Sequence, residues 1–228
     1  MDTAPRMNQG INAYRLLKKD IISGNLAPDS KLLMSALRER YSIGTGPLRE
    51  ALSQLVAEHL VVAISQRGYR VASMSIAELN DIYDARAHLE GLIVGMAIDR
   101  GDDAWEAEVI AQAHTLSKVL AVSGPDDMLD IWDYRHKKFH AAIAVGCGSH
   151  HLIQVRAQLL DQAERYRHLW LRETVFSQEA LEQKRDEHAQ LLQLILERKA
   201  DEASQYVREH LLTPVAVISS VMRDRHLA

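Results

Sequence analysis

The chain has 228 residues, of which 47% are hydrophobic and 25% charged, with a net charge of −4. That balance excludes a disordered chain. No apolar run reaches the roughly 20 residues that span a bilayer, and the opening MDTAPRMNQG lacks the apolar core of a signal peptide. With Cys147 as its one cysteine the chain has no internal disulfide, and these features together point to the cytoplasm.

Residues 1–10 read as a flexible tail. A helix over 12–23 follows, with Tyr14, Leu17, Ile21 and Ile22 on one face and Gly24 as its stop. Asn25 to Lys31, with Pro28 and Asp29, reads as a turn before a short helix over 33–41. A glycine-rich connection, Ser42 to Gly46, opens a third helix near Thr45, where Pro47 suits the first turn. Two β-prone runs, Val61–Ile64 and Tyr69–Ala72, flank the hairpin tip Ser65 to Gly68. From Ser75 onward the pattern is helical: about 75–100, 103–122, 126–145, 149–173, 176–197 and 200–222. The fold class is therefore mainly α, with an N-terminal winged helix-turn-helix over 11–74 and an antiparallel all-helical bundle over 75–228.

Charge divides along the same boundary. Residues 1–74 hold ten Lys and Arg against six Asp and Glu, whereas the remainder holds seventeen against twenty-five. A basic small domain suits a polyanion, and an acidic large one is repelled by it. The third helix would be the recognition helix, with Thr45, Gly46 and Arg49 facing base edges and phosphates. Arg38 and Arg40 on the second helix are placed for phosphates, and Arg67 and Arg70 flank the wing, whose tip glycine, Gly68, permits positive φ. Each arginine alone fits a solvated surface equally well; the ordered set on this architecture is what favours double-stranded DNA.

These segments resemble the DNA-binding half of GntR-superfamily repressors. The resemblance rests on Gly24 to Leu32, on Gly46-Pro47-Leu48-Arg49-Glu50-Ala51-Leu52, on Leu55 to Val61 and on Arg67-Gly68-Tyr69-Arg70-Val71. One departure is that the usual Ser-Arg before the position of Gly46 is Gly44-Thr45 here. An arginine often used on DNA is thus replaced by a hydroxyl and a methyl, and the operator preference is expected to differ.

In the bundle, His136 and His140 stand four apart, which puts both imidazoles on one helix face within reach of one ion. His188 and His210 lie on later helices. Imidazoles suit Zn²⁺, Ni²⁺ or another divalent transition metal, but ordinary surface or core histidines remain the alternative at this point. The segments Tyr83 to Glu90, Phe139-His140-Ala141-Ala142-Ile143, Glu187-His188 and Arg208-Glu209-His210-Leu211 resemble the FCD effector domain of the FadR subfamily of GntR regulators. That resemblance implies a metal ligand set of His136, His140, His188 and His210, with His136 at a position more often held by Asp or Asn. It also implies that Arg86 faces the effector cavity, where a guanidinium can hold a carboxylate bidentately. An Arg86–Glu90 surface pair is the plainer alternative. Arg165 and Arg167 are weaker candidates, and Trp132, Phe139, Tyr166 and Trp170 read as core.

The segments Ile43 to Glu58, Gly146-Cys147-Gly148-Ser149-His150 and His210-Leu211-Leu212-Thr213-Pro214 resemble those of regulators of glutarate and 4-aminobutyrate catabolism, which implies a small carboxylate effector such as glutarate. The expected function is that of a homodimeric repressor that leaves operator DNA when the effector binds near the metal, with no membrane partner. The alternatives are a metal-dependent hydrolase and a protein-binding winged-helix adaptor. Against the first, no HExxH pattern occurs, and Glu187 and Glu209 sit beside proposed ligands rather than across from them.

Overall fold

In a computed structural model that describes residues 9–65, 68–173 and 177–225, the N-terminal core is built on helix α1 (Gln9–Ile22). This helix buries Ala13, Leu17 and Ile21 at helical spacing. They pack on Leu48, Ala51, Leu52 and Leu55 of α3 (Thr45–Ala57), and α2 (Met34–Tyr41) adds Leu37. Helix α1 starts at Gln9, inside the segment read as a tail.

The wing pairs β2 (Val61–Ile64) with β3 (Gly68–Val71), antiparallel, with Val61 opposite Val71 and Ile64 opposite Gly68. A third strand, β1 (Lys31–Leu32), lies on the other edge of β3, where the sequence reads as a turn. Two residues are too few to show a period. Their strand character comes from the partner, with Lys31 opposite Arg70 and Val71 N–H donating to Ser30 O at 3.0 Å.

The larger unit has helices and no strand among its described residues. Helix α4 (Ile76–Arg100) starts at Ser75, whose hydroxyl accepts from Glu78 N–H, and α5 (Asp103–Ser117) starts at Asp102, which accepts from Trp105 N–H. Helix α5 stops at Ser117 rather than near 122, as Val119 N–H turns back to Leu116 O. The short α6 (Pro125–Asp127) continues through a wide π-helical stretch (Met128–Asp133) into α7 (Tyr134–Val145). Helices α8 (His150–Glu173), α9 (Gln178–Leu196), α10 (Ala200–Leu212) and α11 (Val215–Asp224) complete the bundle. The single last helix read from sequence is thus two. The break falls at Thr213 and Pro214, where proline has no N–H to continue the ladder.

Helix α10 lies tightly against α4 because two glycines leave room for it. A Cβ on Gly91 would stand 2.8 Å from Arg208 Cγ, and one on Gly95 would stand 2.7 Å from Ser204 Oγ. Ser204 Oγ–H fills the space by donating to Gly91 O at 2.8 Å. This close approach brings the end of α10, and His210 with it, over the middle of the bundle.

The two units meet on α8. Lys18 of α1 reaches Asp161 at 2.6 Å while also pairing with Glu58 at 2.9 Å. Arg165, one turn further, donates to the carbonyls of Ala72 and Ser73 in the connection between the units. Tyr166 OH donates to Glu78 and accepts from Ser75 N–H at the start of α4.

Candidate nucleic-acid interface and histidine cluster

Helix α3 presents its N-terminus to solvent. Gly44, the residue before it, has no side chain to cap the first turn, and Pro47 removes one donor. A Cβ on Gly46 would meet no atom of the chain within 4 Å, so no internal contact requires glycine there. What its absence leaves open is the approach to the helix end from outside, where backbone N–H groups favour an anion. Thr45 and Arg49, four apart, share the outward face, and Arg49 makes no ion pair or hydrogen bond among the described residues. Arg38 is likewise exposed and lines a surface depression with Ser42, Ile43 and Gly44.

Of the other sequence-predicted DNA contacts, two arginines have carboxylate partners within the chain. Arg40 pairs with Asp20 at 2.7 Å. Arg70 holds the carbonyl of Asp29 and lies 3.4 Å from its carboxylate, so it braces the turn before β1. Gly68 takes φ +93° at the start of β3, the left-handed region that suits glycine. Arg67 lies outside the described residues. Arg38 and Arg49 are therefore the predicted arginines that are exposed and without an ion-pair partner among the described residues, with Thr45 and Gly46 at the α3 N-terminus beside them.

In the bundle, one nitrogen from each of His136, His140, His188 and His210 lies within 4.8 Å of the others. Each arrives by the helical period. On α7, His136 and His140 flank Phe139, which is fully buried. On α9, His188 follows Leu181 by two turns, and on α10, His210 continues the buried stripe of Ala203 and Val207. The π-helical turns just before α7 end at Trp132 and Asp133, both buried, and Trp132 stacks on His136 at 4.7 Å.

The spacing can be tested against an ion. Two imidazole nitrogens, each about 2.1 Å from one metal, stand roughly 3.0–3.4 Å apart at bond angles of about 90–110°. His140 Nε2 is 3.1 Å from His136 Nε2 and 3.3 Å from His188 Nε2. The outer nitrogens of two rings are fixed by acceptors: His188 Nδ1–H donates to Lys184 O, and His210 Nδ1–H donates to Glu187 Oε2 at 2.9 Å. Both rings therefore turn a bare Nε2 inward, as a metal requires. Burial disfavours the protonated form of His136, His140 and His188. It pushes His136 and His140 well below the usual imidazole range, with neighbouring positive charge adding to the effect, and brings His188 down to about 3. The residues present fit a divalent transition metal.

Beside the cluster is a cleft lined by Tyr83, Arg86, Trp132, Arg167, Trp170 and Lys184, together with His136 and His210. Arg86 is buried with Nε 3.7 Å from Glu90 Oε1, beyond hydrogen-bonding distance. Glu90 is instead held by Arg156 at 2.9 Å, so two buried arginines share one carboxylate. Tyr83 OH also has no hydrogen-bond partner among the described residues. The other cations are matched: Arg167 and Lys137 by Asp133 and Glu164, and Lys184 by Glu187 at 2.7 Å. The cleft wall thus has an excess of positive charge before any ion is added.

Arg167, a weaker candidate from sequence, lines the cleft, and Trp132 and Trp170, read as core, belong to the bundle core and form part of the cleft wall as well. Lys184 went unnoticed, and its signal was its place one turn before His188. Arg165, the other lesser candidate, turns away to the connection between the units. A second acidic group, Asp133, Glu164 and His168, is already neutralised by Lys137 and Arg167 and leaves no charge for an ion to satisfy.

Comparisons with known proteins divide the chain where the fold does. Residues 11–71 match the model described as bacterial regulatory proteins, gntR family, and residues 81–213 match the FCD domain. The HTH-type transcriptional repressor GlaR of Escherichia coli (strain K12) is 56% identical over 212 residues, covering 93% of this chain and 96% of that protein. The HTH-type transcriptional regulator BphR of Paraburkholderia xenovorans (strain LB400) is 31% identical, covering 90% of this chain and 83% of its own. Among solved structures, E. coli McbR/YncC superposes with a TM-score of 0.76 at 19% identity, covering 94% of this chain and 98% of that one, a likeness of fold.

Proposed function

This chain belongs to the gntR family of bacterial regulatory proteins, with an FCD domain, and is a DNA-binding transcriptional regulator, and from that premise we propose a cytoplasmic homodimeric repressor released from its operator by a short dicarboxylate. The observation that carries the reading is the meeting of four inward-facing imidazoles with a cation-rich cleft in the same bundle. A divalent metal held there by His136, His140, His188 and His210 would supply a Lewis-acidic centre with room for a carboxylate oxygen.

The chain's own residues do the rest. Arg86, only partly neutralised by Glu90, offers its guanidinium to the second carboxylate. Trp132 and Trp170 wall the cleft and keep water from screening that contact. A linear five-carbon diacid such as glutarate has the reach to bridge two such anchors. The space left between the lining side chains is only about 40 Å³. That holds a few waters, at about 10–15 Å³ each, and no diacid. A diacid seated fully inside would displace the walls, and α8 is one of them through Arg167 and Trp170.

Helix α8 also holds the DNA-binding unit, through Asp161 on Lys18 and Arg165 on the connecting carbonyls. A shift of α8 in the cleft is thereby a shift of the winged domain. In a dimer that shift changes the separation of two recognition helices and so the fit to a two-fold operator. The coupling required is about 1–3 kcal/mol.

The test is fluorescence anisotropy on a duplex from upstream of the protein's own coding region. Binding should weaken with salt, and glutarate should release the duplex from metal-loaded protein but not from chelator-treated protein. Salt-insensitive binding would remove the DNA-binding assignment, and release without metal would remove the metal-linked effector site.

A further inference from the structure

His136 differs from His188 and His210 in what its outer nitrogen faces. His188 and His210 each have an acceptor behind Nδ1, but behind His136 Nδ1 stands Arg167 Nη2 at 3.0 Å. A guanidinium has donors only. His136 Nδ1 must then hold the lone pair, and the neutral ring has its proton on Nε2. That proton points at His140 Nε2, 3.1 Å away, so Arg167, His136 and His140 form a donor chain in which His136 has no lone pair facing the cluster.

Ligation needs the opposite tautomer. With Nε2 bare toward an ion, the neutral ring has its proton on Nδ1, and two N–H groups then oppose each other across the His136–Arg167 contact. The exchange is balanced: one proton leaves Nε2 for solvent and one enters Nδ1 from solvent. Arg167 stays anchored by Asp133 and Glu164, while the Nη2 hydrogen aimed at His136 is left without an acceptor inside the cleft that Arg86 also lines. A buried guanidinium N–H without a partner is costly, and a carboxylate is the acceptor that satisfies it best.

We propose that His136 exchanges partners: it accepts from Arg167 while its Nε2 is free of an ion, and once its Nε2 is engaged it releases Arg167 to anchor an effector carboxylate beside Arg86. The inference rests on the reading that the histidine cluster holds a metal. It makes Arg167 a specificity-determining residue whose availability depends on the metal, and it places that dependence on α8.

The experiment uses the full chain labelled with ¹⁵N-histidine, with two-bond ¹H–¹⁵N spectra recorded in chelator and then with Zn²⁺. In chelator, His136 should be the Nε2–H tautomer; with Zn²⁺ it should become Nδ1–H, with its Nε2 shifted by coordination. If Zn²⁺ shifts none of the four rings, the cluster reading itself falls. If His140, His188 and His210 shift while His136 keeps its proton on Nε2, only the exchange falls. Arg167→Gln supplies the second measurement, because its amide can donate to Nδ1 or accept from Nδ1–H. Zinc binding should survive in that variant while glutarate affinity of the loaded protein drops at least tenfold, and undiminished glutarate affinity overturns the anchor role. The spectra need no variant, so the exchange is tested even if Arg167→Gln does not fold.

Discussion

Glu187 offers a sharp test of how the cluster is supported, because it touches a proposed ligand without being one. Its Oε2 takes His210 Nδ1–H at 2.9 Å and Lys184 Nζ at 2.7 Å. Burial opposes the charged form, yet those two hydrogen bonds bring its carboxyl down to about 2. Glu187→Gln keeps an acceptor for His210 and removes only the charge. A hydrogen bond to a charged group contributes about 1.5–3 kcal/mol, and losing an outer-shell carboxylate typically costs roughly 10- to 100-fold in metal affinity. Competition with a chromophoric chelator should show zinc bound 10- to 100-fold more weakly, with one ion per chain still reached at saturation. The metal-free protein should also lose stability. A carboxyl moved from 4.5 to about 2 contributes above its unfolded pKa and loses that contribution as pH falls toward 2. With the group only half buried and partly screened, the loss at neutral pH is about 1–2 kcal/mol by urea titration. Zinc affinity within twofold of the parent would refute the orienting role. Complete loss of zinc would instead make Glu187 a ligand.

Three further outcomes follow from the same geometry. In chelator, folded His136, His140 and His188 refuse protons that the unfolded chain accepts near pH 6.5, and His188 holds out to about 3. Stability should be full above pH 6.5 and fall as pH drops below it, by up to about 1.4 kcal/mol per unit for one ring, and His188→Gln should flatten that slope in denaturant titrations. Arg49→Ala should weaken operator binding about tenfold and lower the salt slope of the binding constant by about 1, as read by anisotropy at several salt concentrations; unchanged binding would move the interface away from α3. Lys18→Met with Asp161→Asn should leave glutarate affinity unaltered by calorimetry while shrinking the change in operator affinity that glutarate produces, and an undiminished response would show that the signal bypasses this contact.

How far the sequence disclosed this molecule depended on the range of each signal. Local periods were enough for α3, for the hairpin and for most of the bundle, and the four-residue interval put His136 and His140 together without any knowledge of the fold. His188 and His210 are 48 and 70 positions beyond His140, and no local pattern links them; they entered through resemblance to a family. Strand β1 was hidden because two residues acquire their conformation from β3 rather than from themselves. The arginines were the least legible. Nothing near Arg40 or Arg70 in sequence announces Asp20 or Asp29 as partners, and the opposite fates of Arg165 and Arg167 depend on two residues of rotation along α8. Arg86 was singled out with Glu90 as its surface partner in the plainer alternative; both are buried, because α8 brings Arg156 to the same carboxylate.

The scale of the contacts between the two units bears on why so small a ligand can govern them. A half-buried pair such as Lys18–Asp161 contributes on the order of 1 kcal/mol, and each hydrogen bond from Arg165 to a connecting carbonyl contributes a similar amount. Their sum is of the same order as the coupling of about 1–3 kcal/mol by which regulators typically respond. A broad apolar seam between the units would exceed what one diacid can redistribute, and the winged domain would stay put whatever the cleft held. A few polar contacts on α8 can instead be exchanged for others at little net cost. Because Asp161 and Arg165 face the DNA-binding unit while Arg167 and Trp170 face the cleft, neighbouring turns of one helix serve both sites, and movement of that stretch at one site is not separable from movement at the other.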